Sequence, residues 1–169
     1  YILDSVLKEM NKSQHETINY INQLTNLYPS SKIINACTDI TGFGLLGHLS
    51  EMLESTNSDQ LKMNLEPLKI ILELDKIPVY DGVKELLDKG FESTLAPANK
   101  IFLKNINGDK NLRFELISNV FTSNESFYKN MLKILVDPQT CGPLVISCSS
   151  IYSERLIEEG PWIKIGFIS

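Results

Sequence analysis

The chain has 169 residues and a formal charge of −5 from 16 basic and 21 acidic side chains, and only two of the basic ones, Arg113 and Arg155, are arginine. That balance excludes a nucleic-acid surface, which needs clustered Lys and Arg, while 43% hydrophobic residues exclude a disordered chain. No apolar run approaches the roughly 18 residues of a membrane span, which leaves an acidic, soluble, globular protein.

The first stretch reads as helix. Ile2, Leu3, Val6, Leu7 and Met10 recur at helical spacing, residues 13–16 (S-Q-H-E) form a capping box, and Ile18, Ile21 and Leu24 continue the stripe until Pro29 stops it. His15 is then a solvated helix-start residue. Residues 32–40 (K-I-I-N-A-C-T-D-I) read as a buried strand, with Cys37 as packing, and Thr41 to Gly44 as a turn. Leu45, Leu46, Leu49, Met52 and Leu53 mark a helix that ends in the polar run 54–60, and a short strand near 61–65 and an apolar stretch at 68–74 follow.

A helix near 81–89 closes on Gly90 as a C-cap, and Pro97 opens another through Leu103. Residues 105–111, with Gly108, read as a surface loop, and 112–120 are ambiguous between strand and helix. Phe127, Met131, Leu132 and Leu135 describe a helix up to Asp137-Pro138. A strand at 143–148, a helix at 149–159 and a strand at 162–168 complete the chain. Strands alternating with helices predict an α/β or α+β sandwich with one sheet. No repeat or linker divides residues 1–169, so a single domain is expected.

The densest chemical signal is residues 39–48, D-I-T-G-F-G-L-L-G-H. Asp39 ends a strand, where a hard carboxylate oxygen suits Mg²⁺ shared with substrate phosphates. Gly42 and Gly44 let backbone approach a ligand, and the next helix N-terminus offers N–H groups to an anion. Taken alone, the segment is first a common strand–turn–helix packing unit and only second an anion or metal site. His48 can hydrogen-bond within the core, and Glu51 and Glu54 form a solvated face.

Two further segments carry weaker signals. Residues 137–143, D-P-Q-T-C-G-P, join a helix to a strand, with Asp137 either capping a turn or reaching a site. Cys141 has no base legible beside it and reads as a packed or exposed thiol rather than a reactive one. Residues 93–99, S-T-L-A-P-A-N, are a loop leading into a helix in which Asn99 caps or binds. Three cysteines with no C-x-x-C pair argue against a disulfide framework and for a reducing compartment. His15 and His48, far apart, give zinc no local signature. The chain begins at Tyr1 rather than Met and reads as a piece of a longer protein.

Together the segments go further than each alone. Residues 38–52, T-D-I-T-G-F-G-L-L-G-H-L-S-E-M, closely resemble the signature of the selenophosphate synthetases, also called selenide, water dikinases. Residues 137–142 resemble that family's second signature, Asp-Pro-Gln-Thr-Ser-Gly-Gly. Residues 93–99 are similar to the Ser-Ser-Leu-x-Pro-x-Asn form of a branch fused to an FAD-dependent NADH-dehydrogenase-like domain.

The resemblance implies an enzyme that makes selenophosphate, AMP and phosphate from ATP, selenide and water with Mg²⁺, cytoplasmic and homodimeric as a whole protein. It implies that this chain is the C-terminal domain, an α+β fold in the form of an α/β/α sandwich like that of aminoimidazole ribonucleotide synthetase. The nucleophilic Cys or Sec, the catalytic Lys and the glycine-rich segment belong to the N-terminal domain of such enzymes and match nothing here. No catalytic residue is therefore expected in this chain, and the isolated piece is expected to be inactive.

Carried over by position, Asp39 matches a Mg²⁺ ligand, Thr41, Gly42 and Gly44 the turn that shapes the ATP site, and Asp137, Gln139 and Thr140 a second loop facing it. Asn99 joins these as an ATP-site residue. Cys141 and Pro143 depart from the pattern, and Pro143 removes a backbone N–H. The competing readings are a non-catalytic structural or regulatory module of a fusion protein, and a related ATP-using enzyme acting on another small nucleophile.

Overall fold

The computed structural model describes residues 2–104, 113–119 and 125–169. The loop expected at 105–111 and both ends of the ambiguous stretch at 112–120 lie outside them. The chain opens with helices α1 (Ile2–Met10) and α2 (His15–Leu27). Gln14, not Ser13, holds the N-cap position, and no side chain caps this end. The Ser13 hydroxyl instead accepts the His15 N–H at 3.2 Å, the local capture that competes with capping at serine. Helix α2 stops at Leu27 because Tyr28 precedes Pro29 and leaves the helical region, at φ −128° and ψ 62°.

Strand β1 (Ile34–Asp39) follows, and helix α3 (Gly44–Lys62) runs unbroken through the polar stretch. The strand expected near 61–65 is the end of this helix and its turn. A buried side chain explains the difference: the Asn57 amide donates to Leu68 O at 3.0 Å, and its Oδ1 accepts the Leu68 N–H at 2.8 Å. That pairing ties the helix to the start of strand β2 (Lys69–Glu73). Helix α4 (Val83–Asp88) is followed by Gly90 at φ +84°, the left-handed residue expected there. Helix α5 (Ala96–Asn99) carries Pro97 in its first turn and passes into a 3₁₀ turn, Lys100–Leu103. Then come β3 (Arg113–Ile117), α6 (Glu125–Leu135), β4 (Leu144–Cys148), α7 (Ser150–Glu159) and β5 (Gly166–Ile168).

The architecture is α+β. Among the described residues the strands form two sheets rather than the single one expected. β1 and β4 make an antiparallel ribbon with Cys37 opposite Ile146 and Asp39 opposite Leu144. β2 lies between β3, parallel to it, and β5, antiparallel. Periodicity reports which way a strand faces and not which strand it pairs with, so the split was not readable. β1 is also not a buried strand. Its residues alternate half-buried and exposed, as a ribbon with one covered face dictates. Cys37 accordingly stands exposed instead of packed, and partial desolvation followed by the charge of Asp39 pushes its thiol pKa up.

Two clusters hold the fold. The larger joins Leu46, Leu49 and Leu53 of α3 to Ile70 and Leu72 of β2, Phe114 of β3, and Met131 and Leu135 of α6. The smaller, around Leu24, Ile33 and Leu156, packs α2 and α7 against Ile146 of the ribbon. Among the described residues no helix is long and apolar enough to cross a membrane.

Candidate functional site

The first cluster fixes the end of α3 that meets β1, and the chain between them makes the turn. Past Asp39 the ribbon pairing runs one residue further, with the Ile40 N–H donating to Pro143 O at 3.0 Å. The Thr41 carbonyl then accepts two N–H groups at 3.0 Å each, from Gly44 within the turn and from Gln139 across it. The β1–α3 turn and the α6–β4 loop are thus hydrogen-bonded directly, though about a hundred residues separate them in the chain. Gly44, at φ +68°, allows this contact. A Cβ there would lie 2.8 Å from the Val136 carbonyl carbon and 2.9 Å from Asp137 O.

His48 completes the turn from within α3. It is buried, and its Nε2 accepts the Thr41 N–H at 3.0 Å and lies 3.1 Å from Thr41 Oγ1. A ring nitrogen that accepts a backbone N–H carries no proton, so the ring proton sits on Nδ1, 3.2 Å from Glu51 Oε2. Glu51 is therefore an orienting partner as well as part of a solvated face. Sequence reasoning allowed His48 a hydrogen bond in the core but did not connect it to Thr41. The available signal was the placement of His48 one turn into the helix after T-G-F-G, with Glu51 three residues on. Phe43 rests edge-on against Phe102 with ring centroids 6.0 Å apart and tilted against the His48 ring at 5.8 Å, with about half of it exposed.

Asn99 reaches the same junction from α5. It is buried, and its side-chain amide donates to Gly42 O at 2.8 Å and to Val136 O at 3.0 Å. In the second loop Gln139 Nε2 donates to Asp137 O at 3.2 Å and to Asp137 Oδ2 at 3.1 Å. Burial pushes the Asp137 pKa up, against the opposing effect of the Gln139 bond, and the charge of Glu92 adds to the rise. The carboxyl consequently favours folding most when protonated, and that contribution is lost as pH rises through its raised pKa.

Thr140 and Cys141 are exposed, and Cys141 sits at φ +58°, a left-handed conformation that strains a residue with a Cβ. Pro143 lacks an N–H but its carbonyl still pairs with Ile40.

The structure therefore brings Thr41, Gly42, Gly44, Asn99, Asp137 and Gln139 into one junction. Asp39 stands exposed at its edge, and Thr140 lies on its outer loop. Among the described residues no group of three or more His, Cys, Asp or Glu side chains converges to hold a metal ion. An exposed carboxylate at a strand end fits one share of a Mg²⁺ ion, which takes one or two carboxylates together with phosphate oxygens and water. A cleft of about 300 Å³ lies elsewhere, between residues 74–85 and α6, lined by Asp75, Tyr80, Lys84 and Phe127 among others, and includes none of the junction residues.

The family model of the AIR synthase related protein, C-terminal domain, matches residues 4–104. The chain belongs to that family. In this AIR synthase related domain the matched span holds Asp39, the Thr41–Gly44 turn, His48 and Asn99, while the α6–β4 loop lies beyond it.

The chain is 32% identical over 141 residues to the selenide, water dikinase of Caldanaerobacter subterraneus subsp. tengcongensis, covering 83% of this chain and 34% of that protein. Against the selenide, water dikinase of Treponema denticola it is 34% identical over 126 residues, covering 75% and 28%. Against that of Campylobacter jejuni subsp. jejuni it is 32% identical over 154 residues, covering 88% and 37%. The AIR synthase related domain thus spans about a third of the length of these curated relatives.

Proposed function

We propose that this chain is the C-terminal domain of a selenide, water dikinase, and that it completes the site in which MgATP is held against catalytic residues of an N-terminal domain. The observation that carries this reading is the Thr41 carbonyl, which accepts N–H groups from both signature segments and joins them at the end of β1, beside Asp39. Bound Mg²⁺ supplies charge compensation for the transferring phosphoryl oxygens. Asp39 would hold the ion from this side.

Gly42 has no atom within 4 Å of where a Cβ would stand, so that side of the turn is open to a phosphate even though its carbonyl is taken by Asn99. The N-terminus of the 19-residue α3 begins in the same turn and favours negative charge there. No residue of this chain is proposed as a nucleophile or proton carrier. The whole protein is read as cytoplasmic and homodimeric. A fused NADH-dehydrogenase-like domain is supported only by the form of residues 93–99.

One feature favours a second reading, a non-catalytic module: Pro143 withdraws an N–H from the loop that faces the site. The deciding experiment follows AMP formed from MgATP by the full-length protein, with and without selenide. Selenide-dependent AMP is expected, and none from this chain alone. No AMP from a folded full-length sample would favour the module, and selenide-independent turnover would point to another nucleophile.

A further inference from the structure

We infer that Asn99 is a positioning residue, holding the β1–α3 turn and the α6–β4 loop in one fixed relation as the end of a strap formed by residues 92–100. The inference rests on reading that junction as the MgATP-facing site. Its basis is the use of a single side-chain amide. The two hydrogens on Asn99 Nδ2 go to one carbonyl on each loop, Gly42 O at 2.8 Å and Val136 O at 3.0 Å, so neither is left for a ligand.

The strap is pinned at its other end as well. Glu92 pairs with Lys133 of α6 at 3.0 Å and with Lys100, the residue after Asn99, at 3.1 Å. Between these anchors Ala96 is buried and Pro97 stiffens the first turn of α5. Just past Asn99, Phe102 meets Phe43 of the turn and lies 2.9 Å from where a Gly47 Cβ would stand. The Lys133 pair ties the strap to α6, which leads into the second loop, the Lys100 pair closes the strap on itself, and Phe102 ties the chain just past it to the β1–α3 turn.

A buried amide that bridges two loops sets the distance between the groups those loops carry. Here they are Asp39 and the Gly42 backbone on one side, and Asp137 and Gln139 on the other. Loss of the bridge shifts one set against the other, and a displacement of about 1 Å reduces turnover about 100-fold. Substrate binding by either set alone is less affected. The signature is therefore a fall in kcat larger than any rise in KM.

The test uses the full-length protein carrying Asn99→Ala, and Asn99→Ser, which keeps one shorter donor, in case the alanine variant fails to fold. kcat and KM for ATP are measured beside amide exchange of residues 41–44, 137–142 and the β2 strand. The expected result is kcat down about 100-fold for Asn99→Ala and less for Asn99→Ser, a smaller change in KM, and faster exchange in both loops with β2 unchanged. An unchanged kcat with both loops loosened makes Asn99 a stability residue only. A raised KM with exchange unchanged makes it a direct ligand contact. Either result overturns the inference.

Should the unsubstituted protein form no AMP, the functional reading falls and exchange decides the positioning claim. Loosening of both loops together upholds it, and loosening of one alone contradicts it.

Discussion

Asn in place of Asp39 lowers selenide-dependent AMP formation by the full-length protein by on the order of 10³-fold or more, with the melting temperature unchanged. Both halves of this expectation come from where the residue stands. Asp39 is the last residue of β1, on the outward face of the ribbon, opposite Leu144. It is exposed and belongs to neither core cluster, so an isosteric amide disturbs no packing. What changes is charge, which the proposed site would need as a hard anionic ligand for a divalent cation shared with phosphate oxygens. Retained turnover in a folded Asp39→Asn protein would remove Asp39 from the metal site. A large fall in melting temperature would mean that the carboxylate supports the fold instead.

Ala in place of Gly142 destabilises the protein by about 3 kcal/mol or more, at the upper end of what overpacking causes. A Cβ on Gly142 would stand 1.9 Å from Ile40 O and 2.9 Å from its carbonyl carbon. Both are backbone atoms, so no side chain can turn aside to make room. Relief requires the two segments to separate, which breaks the Ile40 N–H to Pro143 O bond and disturbs the pairing of Asp39 with Leu144.

Gly42→Ala is the matched control. It lies three residues beyond Asp39 in the other segment and has open space where its Cβ would go, so it is expected to change stability by less than about 0.5 kcal/mol. Urea unfolding of the two variants beside the parent measures the contrast. Equal stability for all three would show that close contact of the two segments is not what holds the junction together.

The parts of the fold legible in sequence are those written locally. The T-G-F-G turn, the left-handed Gly90 after α4, Pro97 at the start of α5 and the helix before Asp137-Pro138 each carry their own chemical punctuation, and each is found where that punctuation puts it. What failed depended on partners distant in sequence. The polar run 54–60 looked like a helix end because the partner of Asn57, the Leu68 backbone, lies eleven residues away. Cys37 looked buried because an apolar run does not reveal that its strand joins a ribbon with one open face.

The candidate site shows the same division. Its two signature segments were each visible, but their contact through Thr41 O is a property of the folded chain. Only the resemblance to a known family suggested that they belong together. Asn99 was expected at the site through that resemblance, but the two carbonyls that take its amide hydrogens are 57 and 37 residues away, beyond any pattern in the sequence.

The most direct test of the junction as the MgATP-facing site is amide exchange of the full-length protein with and without ATP and Mg²⁺. Slower exchange is predicted over residues 41–44 and 137–142 together, with the effect weakened when Mg²⁺ is omitted. Protection confined to residues 74–85, around the separate cleft of about 300 Å³, with none at the junction, would contradict it.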